Sequence, residues 1–394
     1  MEEKNGRVMM YAIGDNIVCG LGFNTDEVYS SVRRDISGVK RCEGTFGVHE
    51  PFMASLVDES MVDDVFDSLH NSRSKSLCRD YTKFEKMMII SAQNAIEKAG
   101  VDASGRDFRF ILSTTKGNVD LLGRQNTDSE RVYLWRSAEL LSEWFGNTNI
   151  PIVVSNACVS GACAQIAASR EINSGTCRYV AVVGAEVLSK FIVSGFQSFK
   201  ALSSEECRPF DKSRTGLNLG EAAATIVYSS DNEENKGNFA FCSGAIRNDA
   251  NHISGPSRTA EGLFNVLDTL TENISSEQVA FINAHGTATL YNDEMESIAI
   301  SRSGLNEIPV NSLKPYFGHT MGAAGVLETI ISSRAANDGI VLGSRGFAQS
   351  GVSCSINISN MTKNIPERGQ APYFIKMLSG FGGSNAAILL KRVL

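Results

Sequence analysis

Short apolar segments, each followed by a loop of small residues and then a helix-forming stretch, recur along this chain. They are 108–113, 152–154, 179–185 and 279–284, and a shorter strand-like segment lies at 310–312. Apolar runs this short, without polar alternation, are typical of strands buried on both faces of a parallel or mixed sheet. The repeated order of strand, loop and helix therefore predicts an α/β protein that carries its chemistry in the loops.

A polar, charged segment at 231–238 interrupts this pattern, which then resumes. Such a segment between two apolar-rich regions is a candidate linker. We therefore predict two similar halves, residues 1–235 and 236–394, each built from the same kind of α/β unit.

Charge and cysteine usage exclude several classes of protein. The formal net charge of -7 over 394 residues argues against a nucleic-acid-binding face. The segment 1–7 is charged rather than apolar, and no apolar run approaches the roughly 18 residues of a membrane span. Nine cysteines without a CxxC pair predict neither a disulfide framework nor a zinc site. We expect a cytoplasmic protein without a signal peptide, a membrane span or a bound metal.

Cys158 is the first candidate for chemistry. It follows the apolar segment 152–154 and precedes a helix-forming run that extends to Ile172. Unpaired backbone N–H groups and the dipole of a helix N-terminus favour a thiolate at such a position. The same N–H groups can stabilise an oxyanion, and we predict that Cys163 is structural.

Two histidines follow apolar strands in the second half of the chain. His285 stands in the motif NAHGTAT, and His319 stands in NSLKPYFGHTMGAAG with Lys314 five residues before it. We expect the neighbouring Gly286 and Gly318 to let a substrate approach the imidazoles. The acidic residues after His285, including Glu294 and Glu296, are interpreted as helix capping.

One cysteine and two histidines in this setting fit thioester chemistry that forms carbon–carbon bonds. A thiolate can take an acyl group from a thioester. Two neutral imidazoles can then donate N–H groups to the enolate that a malonyl-type donor forms when it loses carbon dioxide.

At these motifs the sequence resembles the β-ketoacyl-acyl-carrier-protein synthases of the thiolase superfamily, in the branch with a Cys-His-His site. The resemblance covers nearly the whole chain. Its motifs are IVCGLGFNTDEVYSSV, SNACVSGACA, VAVVGAEVLS, RPFDKSRTGLNLGEAAA, HGTATLYNDEMES, the 314–325 segment and GFGGSNAAILL. The resemblance implies a thiolase-like, five-layered αβαβα fold.

The resemblance also implies a role for individual residues. Cys158 would be the acylated nucleophile, His285 and His319 the pair that promotes decarboxylation, and Lys314 the lysine that orders the site. The remaining implied roles are an acidic neighbour of that lysine, two threonines that bind the phosphopantetheine arm, and a gate whose N–H joins that of Cys158 in the oxyanion hole. These correspond to Glu328, to Thr287 and Thr289, and to Phe381.

The sequence departs from the family pattern where the substrate pocket is expected. Ser379 replaces the first of two phenylalanines in the glycine-rich turn, and Val159 follows the nucleophile where a smaller residue is usual. The segment 117–148 lacks the family's usual methionine and holds Trp135 and Trp144 instead. These differences leave the acyl chain length undetermined.

The implied partners are an acyl carrier protein, which holds the substrate on its phosphopantetheine, and a second ketosynthase-like chain in a homodimer or heterodimer. Carrier proteins are acidic, so their docking surface should be locally basic. The candidates for that surface are Lys200, Arg73, Lys75 and Arg79.

Three other functions remain to be weighed. A degradative thiolase would need a second cysteine near the C-terminus, and a chain-starting synthase would usually carry asparagine in place of His319. A non-catalytic partner subunit that sets chain length would normally lose the nucleophile, whereas this chain keeps Cys158. We therefore predict a decarboxylating elongation enzyme of fatty-acid or polyketide biosynthesis, with the partner subunit as the alternative.

Overall fold

The computed structural model describes residues 9–71, 80–122, 129–231, 237–252 and 255–393. The strands are β1 Met10–Cys19, β2 Lys40–Cys42, β3 Phe52–Ser55, β4 Phe108–Ser113, β5 Ile152–Val154, β6 Tyr179–Glu186, β7 Leu219–Gly220, β8 Ala222–Ser229, β9 Phe239–Asn248, β10 Val279–Asn283, β11 Pro309–Asn311, β12 Ile340–Val341, β13 Asn357–Ile358, β14 Lys363–Asn364, β15 Tyr373–Gly380 and β16 Ser384–Arg392. The helices are α1 Thr25–Arg33, α2 Glu59–Asn71, α3 Lys83–Ala99, α4 Leu134–Trp144, α5 Ser160–Asn173, α6 Lys190–Ser198, α7 Glu261–Thr271, α8 Leu290–Arg302, α9 Lys314–Phe317 and α10 Ala324–Asn337.

Local sequence signals account for several of these boundaries. Helix α3 starts after Thr82, which forms a capping box with Glu85, and ends at Gly100 in the left-handed conformation. The side chain of Asn24 caps α1. Side-chain caps therefore set both helix starts.

Two groups of five strands repeat the same pattern within the main sheet, whose order is β13-β11-β10-β15-β16-β9-β1-β8-β6-β4-β5. In the order β5-β4-β6-β8-β1, the first three strands are parallel and the last two pairings are antiparallel. The order β11-β10-β15-β16-β9 has the same directions. The two groups join through two residue pairs of β1 and β9. The expected similarity of the two halves is confirmed.

Five layers pack on one another through three hydrophobic cores, and the central core fills the space on both sides of the middle layer. Residues of α2, α3 and α4 pack on one face of the first strand group, and residues of α7 and α8 pack on the far face of the second group. Helices α5 and α10 lie between the two groups and share the central core with both. This is the predicted αβαβα arrangement, whereas the predicted boundary at residues 235 and 236 lies outside the described residues.

The two central helices approach each other closely because each has a glycine at the crossing. A Cβ atom on Gly161 would lie 2.8 Å from the Cα of Gly325, and a Cβ on Gly325 would lie 2.6 Å from the backbone nitrogen of Ala162. Helices α5 and α10 follow equivalent strands of the two halves, so their N-terminal turns meet at one place in the molecule. Among the described residues, no helix combines the length and the apolar character needed to cross a membrane.

Candidate active site

Cys158 lies in a strained turn between β5 and α5. The preceding residue, Ala157, has a φ of 44°, a conformation that non-glycine residues adopt only when their surroundings enforce it. The hydroxyl of Ser160 holds this turn, because its oxygen accepts the N–H of Asn156 at 2.7 Å and its hydrogen is donated to the carbonyl of Ala157 at 2.6 Å. The thiol of Cys158 is thereby fixed in place and buried.

His319 lies in the equivalent turn of the second half, between β11 and α10. Its N–H donates to the carbonyl of Asn218 at 2.7 Å, and its carbonyl accepts the N–H of Gly220 at 3.1 Å. The segment 218–220, which immediately precedes β8, therefore holds the backbone of His319. At Gly318, which has a φ of 66°, a Cβ would lie 2.0 Å from the carbonyl oxygen of Leu219.

His285 follows the end of β10, and a buried carboxylate holds its backbone. The N–H groups of His285 and Gly286 each donate to Glu296 at 2.7 Å. Glu296 is fully buried, so its interpretation as a solvated helix cap is wrong. The expectation for Gly286 and Gly318 is also wrong, because protein atoms fill the space beside each glycine. At Gly286 this neighbour is Ser312, whose Cβ would lie 2.5 Å from an added Cβ.

The three side chains converge although they are remote in sequence. The Nε2 atom of His319 lies 3.0 Å from the Cys158 sulfur, and the two imidazole rings meet edge to face with centroids 5.0 Å apart. The sulfur and one ring nitrogen from each histidine lie within 4.8 Å of one another. A thiol and two imidazoles this close could also ligate a metal ion, so the expectation of no metal stays a prediction.

The hydrogen bonds of His319 indicate which ring nitrogen carries the proton. The backbone N–H of Met321 points at the Nδ1 atom of His319 at 3.3 Å. Because Nδ1 accepts this hydrogen bond, the proton of a neutral ring is assigned to Nε2. The Nε2–H group then points at the Cys158 sulfur.

A buried cluster of charges lies behind the histidines. Glu328 contacts the ammonium groups of two lysines, Lys314 and, at 2.6 Å, Lys376. All three side chains are buried. Burial opposes ionisation of Glu328, but the charges of Lys314 and Lys376 outweigh it and lower the pKa of the carboxyl group.

This cluster affects the charge of both imidazoles. Burial, followed by the positive charge of Lys314, lowers the pKa of His285 and of His319 well below the ordinary value. Lys376 acts in the same direction on both rings. Both histidines are therefore neutral near pH 7, as the enolate-stabilising role requires.

The Cys158 thiol differs from the sequence-based expectation of a favoured thiolate. Burial raises its pKa to about 11, although the charges of Lys314 and Lys116 and the N–H of Phe381 oppose this rise. The loss of hydration at the sulfur outweighs the helix N-terminus, because a buried anion loses far more solvation than a helix dipole returns. The resting site therefore holds a thiol.

A cavity of about 440 Å³ opens onto these groups. Cys158, His285 and His319 line it, and so do Thr287 and Thr289, whose hydroxyls lie 3.0 Å apart. Lys314 and Glu328 lie behind the histidines and do not line this cavity.

Phe381 lies at the cavity wall and is 38 % exposed. Its ring packs on Phe199 and Phe196, at centroid distances of 5.2 and 5.9 Å. Its backbone N–H points at the sulfur of Cys158. The close approach depends on Gly380, where a Cβ would lie 3.1 Å from the Cys158 backbone nitrogen. The N–H groups of residues 158 and 381 therefore both lie near the sulfur.

The structure describes some of the remaining predicted site residues. Lys200 is exposed at the edge of the cavity beside Phe199, whereas Arg73, Lys75 and Arg79 lie outside the described residues. Ser379 lines the cavity and donates to Asn385 Oδ1 at 2.8 Å.

The two tryptophans do not contribute to this cavity. Trp144 is buried against Phe66, at a centroid distance of 5.3 Å. Trp135 stacks on the exposed ring of Tyr133 at 6.2 Å. Neither tryptophan lines the cavity described, whereas the contribution of the segment 117–148 to an acyl pocket or to dimer contacts stays a prediction.

Comparison with protein families decides where the chain belongs. The family described as "Beta-ketoacyl synthase, N-terminal domain" matches residues 13–233, and "Beta-ketoacyl synthase, C-terminal domain" matches residues 240–348. The chain belongs to the β-ketoacyl synthase family. A β-ketoacyl synthase is an acyltransferase that forms a carbon–carbon bond in the elongation of fatty-acid or polyketide chains.

Curated relatives of this β-ketoacyl synthase include a polyketide synthase subunit and a 3-oxoacyl-[acyl-carrier-protein] synthase. Nodulation protein E of Rhizobium meliloti is 24% identical over 98% of this chain and 99% of its own. The tetracenomycin polyketide synthase ketoacyl synthase alpha subunit of Streptomyces glaucescens is 26% identical over 83% of this chain and 85% of its own. A 3-oxoacyl-[acyl-carrier-protein] synthase 2 of Coxiella burnetii is 31% identical over 62% of each chain.

Solved structures confirm the fold of this β-ketoacyl synthase. The ishigamide ketosynthase/chain length factor has a TM-score of 0.86 at 22% identity, covering 98% of this chain and 100% of the other. A ketosynthase in complex with its chain length factor from Xenorhabdus doucetiae has a TM-score of 0.82 at 20% identity, covering both chains completely.

Sequence reasoning missed Lys376, which completes the charge cluster of this β-ketoacyl synthase. The signal was present, because Lys376 interrupts the apolar strand 373–378. A lysine in such a strand is rarely buried unless it is paired. Its ammonium group contacts Glu328 and donates to the carbonyl of Ala284 at 3.1 Å, beside His285.

Proposed function

We propose that Cys158 carries the growing acyl chain and that His285 and His319 drive decarboxylative condensation with a malonyl thioester. The observation that supports this most directly is the convergence of one thiol and two neutral imidazoles on one cavity. The substrates are acyl and malonyl groups held on the phosphopantetheine of an acyl carrier protein, and no further cofactor takes part.

In the first half-reaction, the Cys158 sulfur attacks the thioester carbonyl of the acyl donor. The bond from the acyl carbon to the pantetheine sulfur breaks, and the proton of the Cys158 thiol ends on that departing sulfur. The N–H groups of Cys158 and Phe381 stabilise the oxyanion of the tetrahedral intermediate. Because burial raises the pKa of this thiol to about 11, proton removal must accompany attack.

In the second half-reaction, malonyl thioester loses carbon dioxide and becomes an enolate. The N–H groups of His285 and His319 stabilise its oxygen, which requires neutral rings with a proton directed into the cavity. The enolate carbon then attacks the acyl carbonyl, the bond to Cys158 breaks, and the departing thiolate takes one proton from water. Thr287 and Thr289 would hold the pantetheine arm by hydrogen bonds from their hydroxyls.

The ion cluster acts through the histidines and not by direct contact with substrate. The carboxylate of Glu328 holds Lys314 and Lys376 in place, and their positive charges add to the effect of burial, which keeps both imidazoles neutral. We therefore assign Lys314 and Glu328 as positioning residues, together with Lys376.

The partners proposed are an acyl carrier protein, which would dock beside Lys200, and a second ketosynthase-like chain. Strand β5 lies at one end of the main sheet and has no outer neighbour among the described residues, which supports such pairing. The ketosynthase of Xenorhabdus doucetiae pairs with its chain length factor. We place the enzyme in the cytoplasm, since the eight cysteines of the described residues are free thiols.

Intact-mass spectrometry after incubation with an acyl-carrier-protein thioester tests the nucleophile. We expect one acyl adduct, which peptide mapping assigns to Cys158 and which Cys158→Ala abolishes. The absence of an adduct on the wild-type chain would support the alternative, a non-catalytic subunit that sets chain length for a partner.

The decarboxylation step is tested separately with malonyl-acyl carrier protein and measurement of released carbon dioxide. Cys158→Gln should abolish condensation and retain decarboxylation, because the imidazole N–H groups remain. His319→Ala should lose both activities. Full decarboxylation by His319→Ala would contradict the role of that histidine.

A further inference from the structure

Glu186 is a buried carboxyl group for which the mechanism above has no role. It is the last residue of β6 and is 1 % exposed. Its Oε1 atom accepts the backbone N–H of Gly322 at 3.2 Å and that of Thr115. One carboxyl oxygen therefore joins the loop after β4 to the loop that follows His319.

Gly322 is held at both of its peptide groups. While Glu186 accepts its N–H, the hydroxyl of Ser113 donates to its carbonyl at 2.7 Å. A Cβ at this position would lie 2.7 Å from Glu186 Oε1 and 2.8 Å from the Cα of Thr114. The loop after His319 thus fits tightly against the ends of β4 and β6.

The residue between Gly322 and the histidine turn is strained. Met321 has a φ of 46°, a conformation that a non-glycine residue keeps only where its surroundings enforce it. Its N–H donates to His319 Nδ1, so this strained residue determines which ring nitrogen bears the proton. The Nε2 atom of the same ring lies 3.0 Å from the Cys158 sulfur.

We propose that Glu186 is a positioning residue for His319. By holding Gly322, it keeps the Met321 N–H on Nδ1 and so keeps Nε2–H directed at the sulfur and at the substrate oxygen. The catalytic consequence rests on the proposed function, but the structural claim about the imidazole does not.

Two substitutions of Glu186 separate the effect of losing the hydrogen-bond acceptor from the effect of losing the charge. Glu186→Gln keeps a carbonyl oxygen for both N–H groups, and Glu186→Ala removes it. We expect Glu186→Ala to lower kcat for malonyl decarboxylation about 10²-fold, because small misplacements of a catalytic group have effects of that size. Glu186→Gln should rescue activity to within about threefold of wild type.

Asp15 supplies a matched control for the loss of a buried acid. It is 2 % exposed and contacts Arg334 and Asn238, at 3.3 and 2.9 Å. Asp15→Ala should lower the unfolding midpoint while leaving kcat unchanged. An equal loss of kcat in Asp15→Ala and Glu186→Ala would overturn the proposal.

A double-mutant cycle distinguishes positioning from general damage. The cycle is read from the residual malonyl decarboxylation that His319→Ala keeps above the uncatalysed rate: if Glu186 acts only through His319, Glu186→Ala should lower that residual rate no further. Additive losses would overturn the proposal. Should Glu186→Ala fail to fold, Ser113→Ala removes the other hydrogen bond to Gly322 and should show the same coupling to His319.

Nitrogen-15 NMR of histidine-labelled protein reads the tautomer without any assay of activity. The His319 signals, assigned by their loss in His319→Gln, should report a protonated Nε2 and a bare Nδ1 in the wild type. Glu186→Ala should shift them towards a tautomer mixture, and unchanged signals would overturn the inference. This shift without ketosynthase activity would refute the proposed function alone.

Discussion

Individual residues in this β-ketoacyl synthase gain their properties from burial and from the charges around them. Cys158 is a thiol with a raised pKa, although it lies at the start of a helix. His285 and His319 are neutral because burial and Lys314 both disfavour the imidazolium. The reactive state of each group therefore depends on long-range packing.

The raised pKa predicts how Cys158 reacts with iodoacetamide in the absence of substrate. Only the thiolate is alkylated, and below a pKa of about 11 its fraction rises about tenfold for each pH unit. The alkylation rate, followed by mass spectrometry of the Cys158 peptide, should therefore rise from pH 7 to pH 10 without a plateau. In the urea-unfolded chain, where the pKa of a cysteine is about 8.5, the rate for the same peptide should level off above about pH 9.5. A plateau near pH 8 in the folded enzyme would contradict the prediction.

The buried ion cluster predicts a large loss of stability at Glu328. Glu328→Gln leaves the ammonium groups of Lys314 and Lys376 without their shared counter-charge, which should cost about 3–5 kcal/mol. The free energy of unfolding in urea measures this loss. Glu139 forms a half-exposed ion pair with Arg136, so Glu139→Gln should cost no more than about 1 kcal/mol. Equal losses of unfolding free energy in the two variants would show that the buried ion cluster stabilises the fold no more than a surface ion pair does.

At the scale of elements, two equivalent helix starts explain why distant motifs meet. Helix α5 follows the turn that bears Cys158, and α10 follows the turn that bears His319. Both helices lie in the central layer and cross where Gly161 faces Gly325. The separation of sulfur and imidazole therefore depends on how closely these helices approach.

Alanine should have opposite effects at two glycines, Gly325 at this crossing and Gly195 away from it. Gly325→Ala would put a Cβ 2.6 Å from the Ala162 nitrogen, and such overpacking should cost about 1–3 kcal/mol. Gly195 lies in α6 with open space beside it, so Gly195→Ala should stabilise the protein by about 0.5–1 kcal/mol. Urea unfolding checks both signs. A stabilised Gly325→Ala variant would show that the helices separate without cost.

At the scale of the whole molecule, five layers bring the two halves around one cavity. The chain carries a net charge of -7, so an acidic carrier protein would be repelled at long range and must be held by a local contact. Lys200 lies beside the cavity, next to the exposed rings of Phe199 and Phe381. This edge of the cavity is the proposed docking position.

A charge reversal tests that position. Lys200→Glu should raise KM for acyl-carrier-protein substrates by about fivefold, the size expected for one exposed ion pair. Turnover of a small pantetheine thioester should not change, and the effect should shrink at high salt. Lys363→Glu, at an exposed lysine that does not line the cavity, is the control. If Lys200→Glu leaves carrier-protein turnover untouched, Lys200 is not part of the docking surface.

The sequence by itself determined the α/β pattern, the two similar halves and the identity of the thiol and imidazoles. These follow from local signals, since strand, turn and helix residues are adjacent in the chain. It could not determine the raised pKa of Cys158, the protein-filled space beside Gly286, or the contacts of Lys376, Glu296 and Glu186. Desolvation and long-range hydrogen bonds arise only when remote segments pack together, so the tertiary structure alone decided them.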